Sequence, residues 1–215
     1  MLDYKFDPKA TYLVAGTYGP DSMALIDMLR HEKGKFVVCS INYHKFAESG
    51  EDFKSLKEYC ESVGLEFVGL DTDVLPEDGK YKEGDDFKEW ARKVRYDFFK
   101  KTYAEKKASA LFLAHQQDDL IETYLLQKQR KGQIAHYGLS PVSTVEDMLV
   151  VRPLLNYSRQ DLLEYNAENR VPYSKQDSSF QDNYIRNPIR RDVISKMNEV
   201  DRENVLDCLL YTSPS

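Results

Sequence analysis

Apolar positions recur along this chain in two alternating rhythms. Thr11-Tyr12-Leu13-Val14-Ala15 is a short β-forming run that stops at Gly16, and Met23 to Leu29 follows as a core-facing helix. Phe36 to Ile41 reads as a second strand. Glu51 to Val63 sets Phe53, Leu56, Tyr59, Cys60 and Val63 at three- and four-residue spacing, a helical stripe that Gly64 ends. Leu65 to Leu70 is a third strand, and Phe87 to Lys106 is helical through Trp90, Val94, Phe98 and Tyr103. Ala110 to Ala114 is a fourth strand, followed by a helix over Asp118 to Gln129. Parallel strands need crossover connections of about a dozen residues, usually helices. The alternation therefore predicts an α/β fold: a mostly parallel, doubly wound sheet with helices on both faces.

The rhythm changes near Val150. Val151-Arg152-Pro153-Leu154-Leu155 leads to Ser158, a favourable N-cap for a helix over Arg159 to Glu168. A polar stretch from Ser174 to Arg191 follows, then a short helix around Asp192 to Asn198. Residues 1–200 read as one domain and 201–215 as the remnant of a terminal helix. The last eight residues, Cys208 to Ser215, continue no earlier pattern and are expected to be foreign to a natural protein that runs on further.

Composition narrows the setting. No apolar run approaches the roughly 18 residues of a membrane span, and Met1-Leu2-Asp3-Tyr4-Lys5 lacks the apolar stretch of a signal peptide. The three cysteines, Cys39, Cys60 and Cys208, form no C-x-x-C pair, which fits reduced thiols and a cytoplasmic location. A net charge of −6 argues against a non-specific coat on nucleic acid. It leaves room for local basic patches at Lys100-Lys101, Lys106-Lys107, Lys128 to Lys131 and Arg186 to Arg191.

The polar clusters lie after strands one, two and four, where parallel sheets bind ligands. After the first strand, Thr17-Tyr18-Gly19-Pro20-Asp21-Ser22 opens a helix. Backbone N–H groups and the helix dipole there favour phosphate without a cationic side chain. Neither G-x-x-x-x-G-K-[ST] nor G-x-G-x-x-G is present. An Asp-Ser N-cap on an ordinary core helix explains this loop about equally well. After the second strand stands Ile41-Asn42-Tyr43-His44-Lys45. After the fourth, His115-Gln116-Gln117-Asp118-Asp119-Leu120-Ile121-Glu122-Thr123 sets Asp119 and Glu122 one turn apart on one helix face, with Asp118 also in reach of Glu122. Concentrated carboxylates are unfavourable unless a cation joins them. Acids complementing a helix dipole account for Asp118 and Asp119, but not for His115 and Glu122 together.

Taken in order, these segments resemble the tRNA(Ile)-lysidine synthetase family. Thr17 to Ser22 is similar to the PP-loop signature S-G-G-x-D-S of enzymes that split ATP between its α and β phosphates. Leu113 to Thr123 resembles L-A-H-x-x-D-D-x-x-E-T, and Ala91 to Phe99 resembles A-R-x-x-R-Y-x-F-F. Val151 to Leu155 resembles R-P-L-L, and Asp177-Ser178-Ser179-Phe180 with Arg186-Asn187-Pro188-Ile189-Arg190 resembles D-x-S-N and R-N-x-x-R. Tyr18, Phe46 and Phe180 depart from the pattern, standing where Gly, Arg and Asn are usual; a Tyr is costly at position 18 if the backbone there needs positive φ.

The resemblance implies that residues 1–200 are a PP-loop catalytic domain using ATP and Mg²⁺, with free lysine and the anticodon loop of an isoleucine tRNA as partners, no membrane, and room for a homodimer. Thr17, Tyr18, Gly19, Pro20, Asp21, Ser22, Ile41, Asn42 and Arg152 would border the nucleotide, and Asp21 would hold the metal. Asp21, Arg95, His115, Asp119 and Glu122 would be catalytic. The implied reaction adenylates the C2 carbonyl oxygen of the wobble cytidine with release of pyrophosphate. The lysine ε-amine then attacks C2 and expels AMP. Two alternatives stay open: another PP-loop ATP pyrophosphatase acting on tRNA, of the thiolase type, and a nucleotide-binding remnant without catalysis.

Overall fold

A computed structural model describes residues 2–45, 48–129, 137–174, 189–190 and 192–212. Six strands form one sheet in the order β3-β2-β1-β4-β6-β5. They are β1 (Thr11–Ala15), β2 (Lys35–Asn42), β3 (Glu66–Asp71), β4 (Ala110–Leu113), β5 (Val142–Val145) and β6 (Met148–Val151). All neighbouring pairs are parallel except β5 with β6. The helices are α1 (Pro20–Arg30), α2 (Ser49–Ser62), α3 (Phe87–Glu105), α4 (Gln117–Gln129), α5 (Arg159–Asn169) and α6 (Glu199–Thr212).

Side-chain alternation along each strand divides the core in two. Tyr12, Val14, Phe36, Val38, Ala110 and Phe112 point to one face, against Met23 and Ile26 of α1, Leu56 and Cys60 of α2, and Leu162 of α5. Leu13, Val37, Cys39, Leu111 and Val150 point to the other, against Phe99 and its neighbours on α3. Helices thus cover both faces. The chain moves outward from β1 to β3, then crosses back to β4 on the far side of β1, so the strand order reverses between β1 and β4. Ligands of open α/β sheets bind at such a reversal.

Local chemistry explains most boundaries. Gly64 takes a φ of 74°, which lets the chain turn out of α2 directly into β3. Ser158 and Asp161 form a complete capping box at the start of α5. The expected short helix after residue 192 is one 3₁₀ turn, Ile194–Lys196. Helix α6 begins at Glu199, inside the expected first domain, and rests on α4: Leu206 and Val205 pack around Ile121, Ile189 and Ile194. The β5–β6 hairpin, which the hydrophobic pattern did not indicate, closes one edge of the sheet.

A buried carboxylate ties three helices together. Asp27 of α1 is 1% exposed and accepts hydrogen bonds from Arg30 Nε (2.6 Å), Tyr59 Oη of α2 (2.8 Å) and Tyr165 Oη of α5 (2.8 Å). Burial alone would raise its pKa; the three donors outweigh that and hold the carboxyl below its ordinary range.

Candidate active site

The loop between β1 and α1 is built for close approach. A Cβ on Gly16 would lie 3.0 Å from Ile26 Cδ1 and 3.0 Å from Val38 Cγ1, so glycine lets the chain leave β1 against the core. Thr17 organises the turn: its hydroxyl donates to Ser22 Oγ (3.2 Å) and accepts from the Gly19 amide (3.3 Å). Gly19 is the N-cap of α1 and offers no capping side chain, while Pro20 occupies the first helical position. By contrast, Ser158 caps α5 and Asp86 caps α3 through their own side chains. The first-turn amides of α1, with Asp21 and Ser22 beside them, therefore suit an external anion. Tyr18 keeps its φ outside the left-handed region, so the residue that departs from the PP-loop signature imposes no backbone strain. Its ring packs on the core and its carbonyl accepts from the Ser174 amide (2.7 Å).

Behind this loop, Asn166 of α5 is 1% exposed and its Nδ2 donates to the Pro20 carbonyl (2.9 Å). The start of α1 is thus held by a helix from the far end of the domain.

At the end of β2, Ile41 is half-buried and Asn42 is 4% exposed. Asn42 Nδ2 donates to Asp71 Oδ2 (3.2 Å), and its Oδ1 accepts from the His44 amide (3.1 Å). His44, at φ 52°, places Nε2 2.6 Å from Asp71 Oδ1 and 3.5 Å from Asp73 Oδ2. The ligand atoms of these three side chains lie within 4.8 Å of one another, a spacing a divalent cation could span. Tyr43 carries Arg95, whose Nε donates to the phenol oxygen (3.3 Å); that phenol donates in turn to the Ala91 carbonyl (3.2 Å). Arg95 itself is exposed, on α3.

The segment after β4 opens beside the first loop, because Ala15 and Leu113 are partners in neighbouring parallel strands. Here the start of α4 is over-determined. The Gln116 amide donates to Asp119 Oδ2 (2.9 Å), the Asp118 amide to Gln116 Oε1 (2.6 Å), and the Gln117 amide to the Tyr157 carbonyl (3.0 Å). The cation beside the acids comes from the chain itself. Arg190 bridges Asp119 and Glu122 through Nη2 and Nε, with the Glu122 side chain 1% exposed. Burial opposes the Arg190 charge, but the two carboxylates outweigh it and raise its pKa. Asp118 pairs separately with Arg202 of α6.

Arg152, expected against the nucleotide, is placed behind His115. Only 8% of it is exposed, and burial lowers its pKa. Its Nε donates to His115 Nδ1 (3.2 Å), and its Nη1 donates to the Ser140 carbonyl and Ser143 Oγ (both 2.9 Å). The guanidinium thus has protein partners on Nε and Nη1.

Phe46, the Asp177-to-Phe180 motif, Arg186 to Pro188 and part of the Lys128-to-Lys131 run lie outside the described residues. Arg190 was visible in the sequence only as the last letter of a motif; nothing local marked it as the partner of Glu122.

Four clusters thus line the carboxyl edge of the sheet: an uncapped helix start after β1, an Asn-His-Asp group at the ends of β2 and β3, a carboxylate pair with its arginine after β4, and a histidine backed by the arginine that follows β6. Comparison with known proteins decides the family, since the sequence profile of the PP-loop domain matches residues 3–197. The chain belongs to the PP-loop domain family.

A tRNA(Ile)-lysidine synthase of Mesoplasma florum is 34% identical to it over 192 residues, covering 88% of this chain and 47% of that protein. One from Ureaplasma parvum is 34% identical over 190 residues, covering 88% and 56%. The chain spans about half the length of these curated relatives. Among solved structures, the U34-tRNA thiolase of Methanococcus maripaludis aligns with a TM-score of 0.72 at 12% identity, over 94% of this chain and 71% of that one. At that identity the likeness is one of fold. Among the described residues, no helix of this PP-loop protein is long and apolar enough to cross a membrane.

Proposed function

We propose that this chain is the catalytic region of a lysidine-forming ligase. It would adenylate the C2 carbonyl oxygen of a wobble cytidine in an isoleucine tRNA and join the ε-nitrogen of free lysine to that carbon. The observation that carries the reading is the Asp119–Glu122 pair, largely buried at the start of α4 and holding a cationic side chain across both carboxylates. A site that accepts a guanidinium there has the charge and acceptor geometry to bind an alkylammonium in competition with it.

Each loop then has a task. The first-turn amides of α1 and the hydroxyls of Thr17 and Ser22 bind the phosphates of ATP. Asp21, in the first turn, is the residue to hold Mg²⁺, which supplies neutralising charge on phosphate oxygens when bound. The lysine amine has an ordinary pKa of about 10.4 and must shed a proton before attack. Asp119 and Glu122 bind the ammonium, orient it and take that proton. The amine then forms the bond to C2, and the adenylated oxygen leaves with AMP. Arg95, seated on Tyr43 at the mouth of β2, faces the same edge and suits a phosphate.

A thiolase reading fits less well. Cys39 and Cys60 are both 0% exposed, and burial pushes each thiol up to about 12, so neither offers a thiolate near neutral pH. Cys208 is exposed on α6. The deciding assay is AMP release by the chain, expected only when lysine and an isoleucine tRNA transcript are both present. Release that ignores lysine, or binding of ATP with no turnover, would refute the proposal.

A further inference from the structure

The contact between Arg152 and His115 fixes a chemical property of the histidine. A guanidinium has five N–H donors and no acceptor, and it stays protonated in proteins. Its Nε donates to His115 Nδ1 at 3.2 Å, so Nδ1 must offer its lone pair. The proton of the neutral ring then sits on Nε2. The tautomer of a histidine is set by the bond its other nitrogen makes. Here that bond comes from a guanidinium, which has no lone pair to accept a proton from Nδ1 in exchange. The arginine is itself immobilised: two further contacts bind it to Ser140 and Ser143, and the β4–β6 pairing brings Val151 level with Phe112, three residues before His115.

We propose that Arg152 is a positioning residue that locks His115 as the Nε2–H tautomer, making this histidine a hydrogen-bond donor at the carboxyl end of β4 and not a proton acceptor. The proposal rests on the lysidine reading for the identity of the acceptor, an oxygen of the adenylyl group or of the cytidine carbonyl that gains negative charge during the reaction. It also divides the labour of the site. With His115 unable to act as the base, removal of the amine proton falls to Asp119 and Glu122.

Long-range ¹H–¹⁵N correlation of the ring nitrogens tests this in the resting chain, with a His115→Gln variant identifying the resonance. We expect the wild-type ring to be neutral and protonated at Nε2. In Arg152→Met the pattern should shift toward Nδ1–H or a mixture of both. Lysine-dependent AMP release should fall by about 10–100-fold in kcat, by analogy with the loss of a partner that orients a metal-bound histidine. The KM for ATP should change less, by under about threefold, and Arg152→Lys should restore part of the rate and of the Nε2–H signal. A wild-type ring protonated at Nδ1, or a tautomer unchanged in Arg152→Met, overturns the proposal. The wild-type spectrum depends on neither Arg152→Met nor a substrate, so the tautomer stays measurable even if that variant misfolds or the lysidine assay fails.

Discussion

The Nε of Arg190 donates to a Glu122 carboxylate that is 1% exposed, across 68 residues of sequence. Breaking a buried pair leaves one charge uncompensated, at a cost of about 3–5 kcal/mol. Glu122→Gln should therefore lower the urea midpoint markedly, and Arg190→Met by a similar amount. The double variant should recover part of that stability, because the most deeply buried charge, that of Glu122, is gone, while the partly exposed Asp119 still loses its partner. It should not recover lysine incorporation. Recovery of activity in the double variant, or near-normal turnover in Glu122→Gln, would remove the pair from the mechanism.

Asp27 makes a separate prediction about pH. Its folded pKa lies below the unfolded value of about 3.9. The carboxylate therefore adds stability that is complete above the unfolded pKa and disappears as pH falls through the lower folded value. Hydrogen bonds to a charged group contribute roughly 1.5–3 kcal/mol each, so Asp27→Asn should cost about 3 kcal/mol at neutral pH. The gap between the two proteins should narrow steadily below about pH 4. Denaturant titrations at pH 7 and pH 3 would measure it; a gap that stays constant would show that the charge is irrelevant.

The thiols offer a direct probe of burial. Cys39 and Cys60 lie inside the two core layers, whereas Cys208 is exposed on α6. Iodoacetamide should alkylate Cys208 in the native chain and reach the other two only after unfolding. Rapid native labelling of Cys39 would contradict the packing of β2.

Thr17 closes the first loop through two exposed hydrogen bonds. Thr17→Val should leave the unfolding midpoint nearly unchanged, since such bonds contribute about 0.5–1 kcal/mol net. Its effect should fall on nucleotide affinity instead, weakening ATP by about tenfold, the equivalent of one hydrogen bond to a charged phosphate. Pyrophosphate exchange at graded ATP concentrations separates the two effects.

What could be read from sequence follows the range of the interactions. Strands β1 to β4 and helices α1 to α5 are local statements, written as period-two and period-3.6 patterns with Gly64 and Ser158 as punctuation. The β5–β6 hairpin escaped because its turn carries Glu146 and Asp147 at φ 49° and 63°, where Asn-Gly is the recognisable signal. The loop residues of the site were legible because the chemistry of phosphate and carboxylate groups is local. Their partners were not: Arg190 for Glu122 and Arg152 for His115 come from other elements, and only the three-dimensional pairing of β4 with β6 reveals the second.

The bond from Asn166 to the Pro20 carbonyl joins positions 146 residues apart, and Tyr165 reaches Asp27 over 138. Closing so long a connection is slow, because its entropy is lost before the contact forms. A chain emerging from the ribosome makes its amino-terminal end first. Pro20 nevertheless waits for α5 before its carbonyl is held, and Asp27 waits for the last of its three donors. The start of α1, synthesised well before α5, is accordingly among the last parts of the domain to reach its final form.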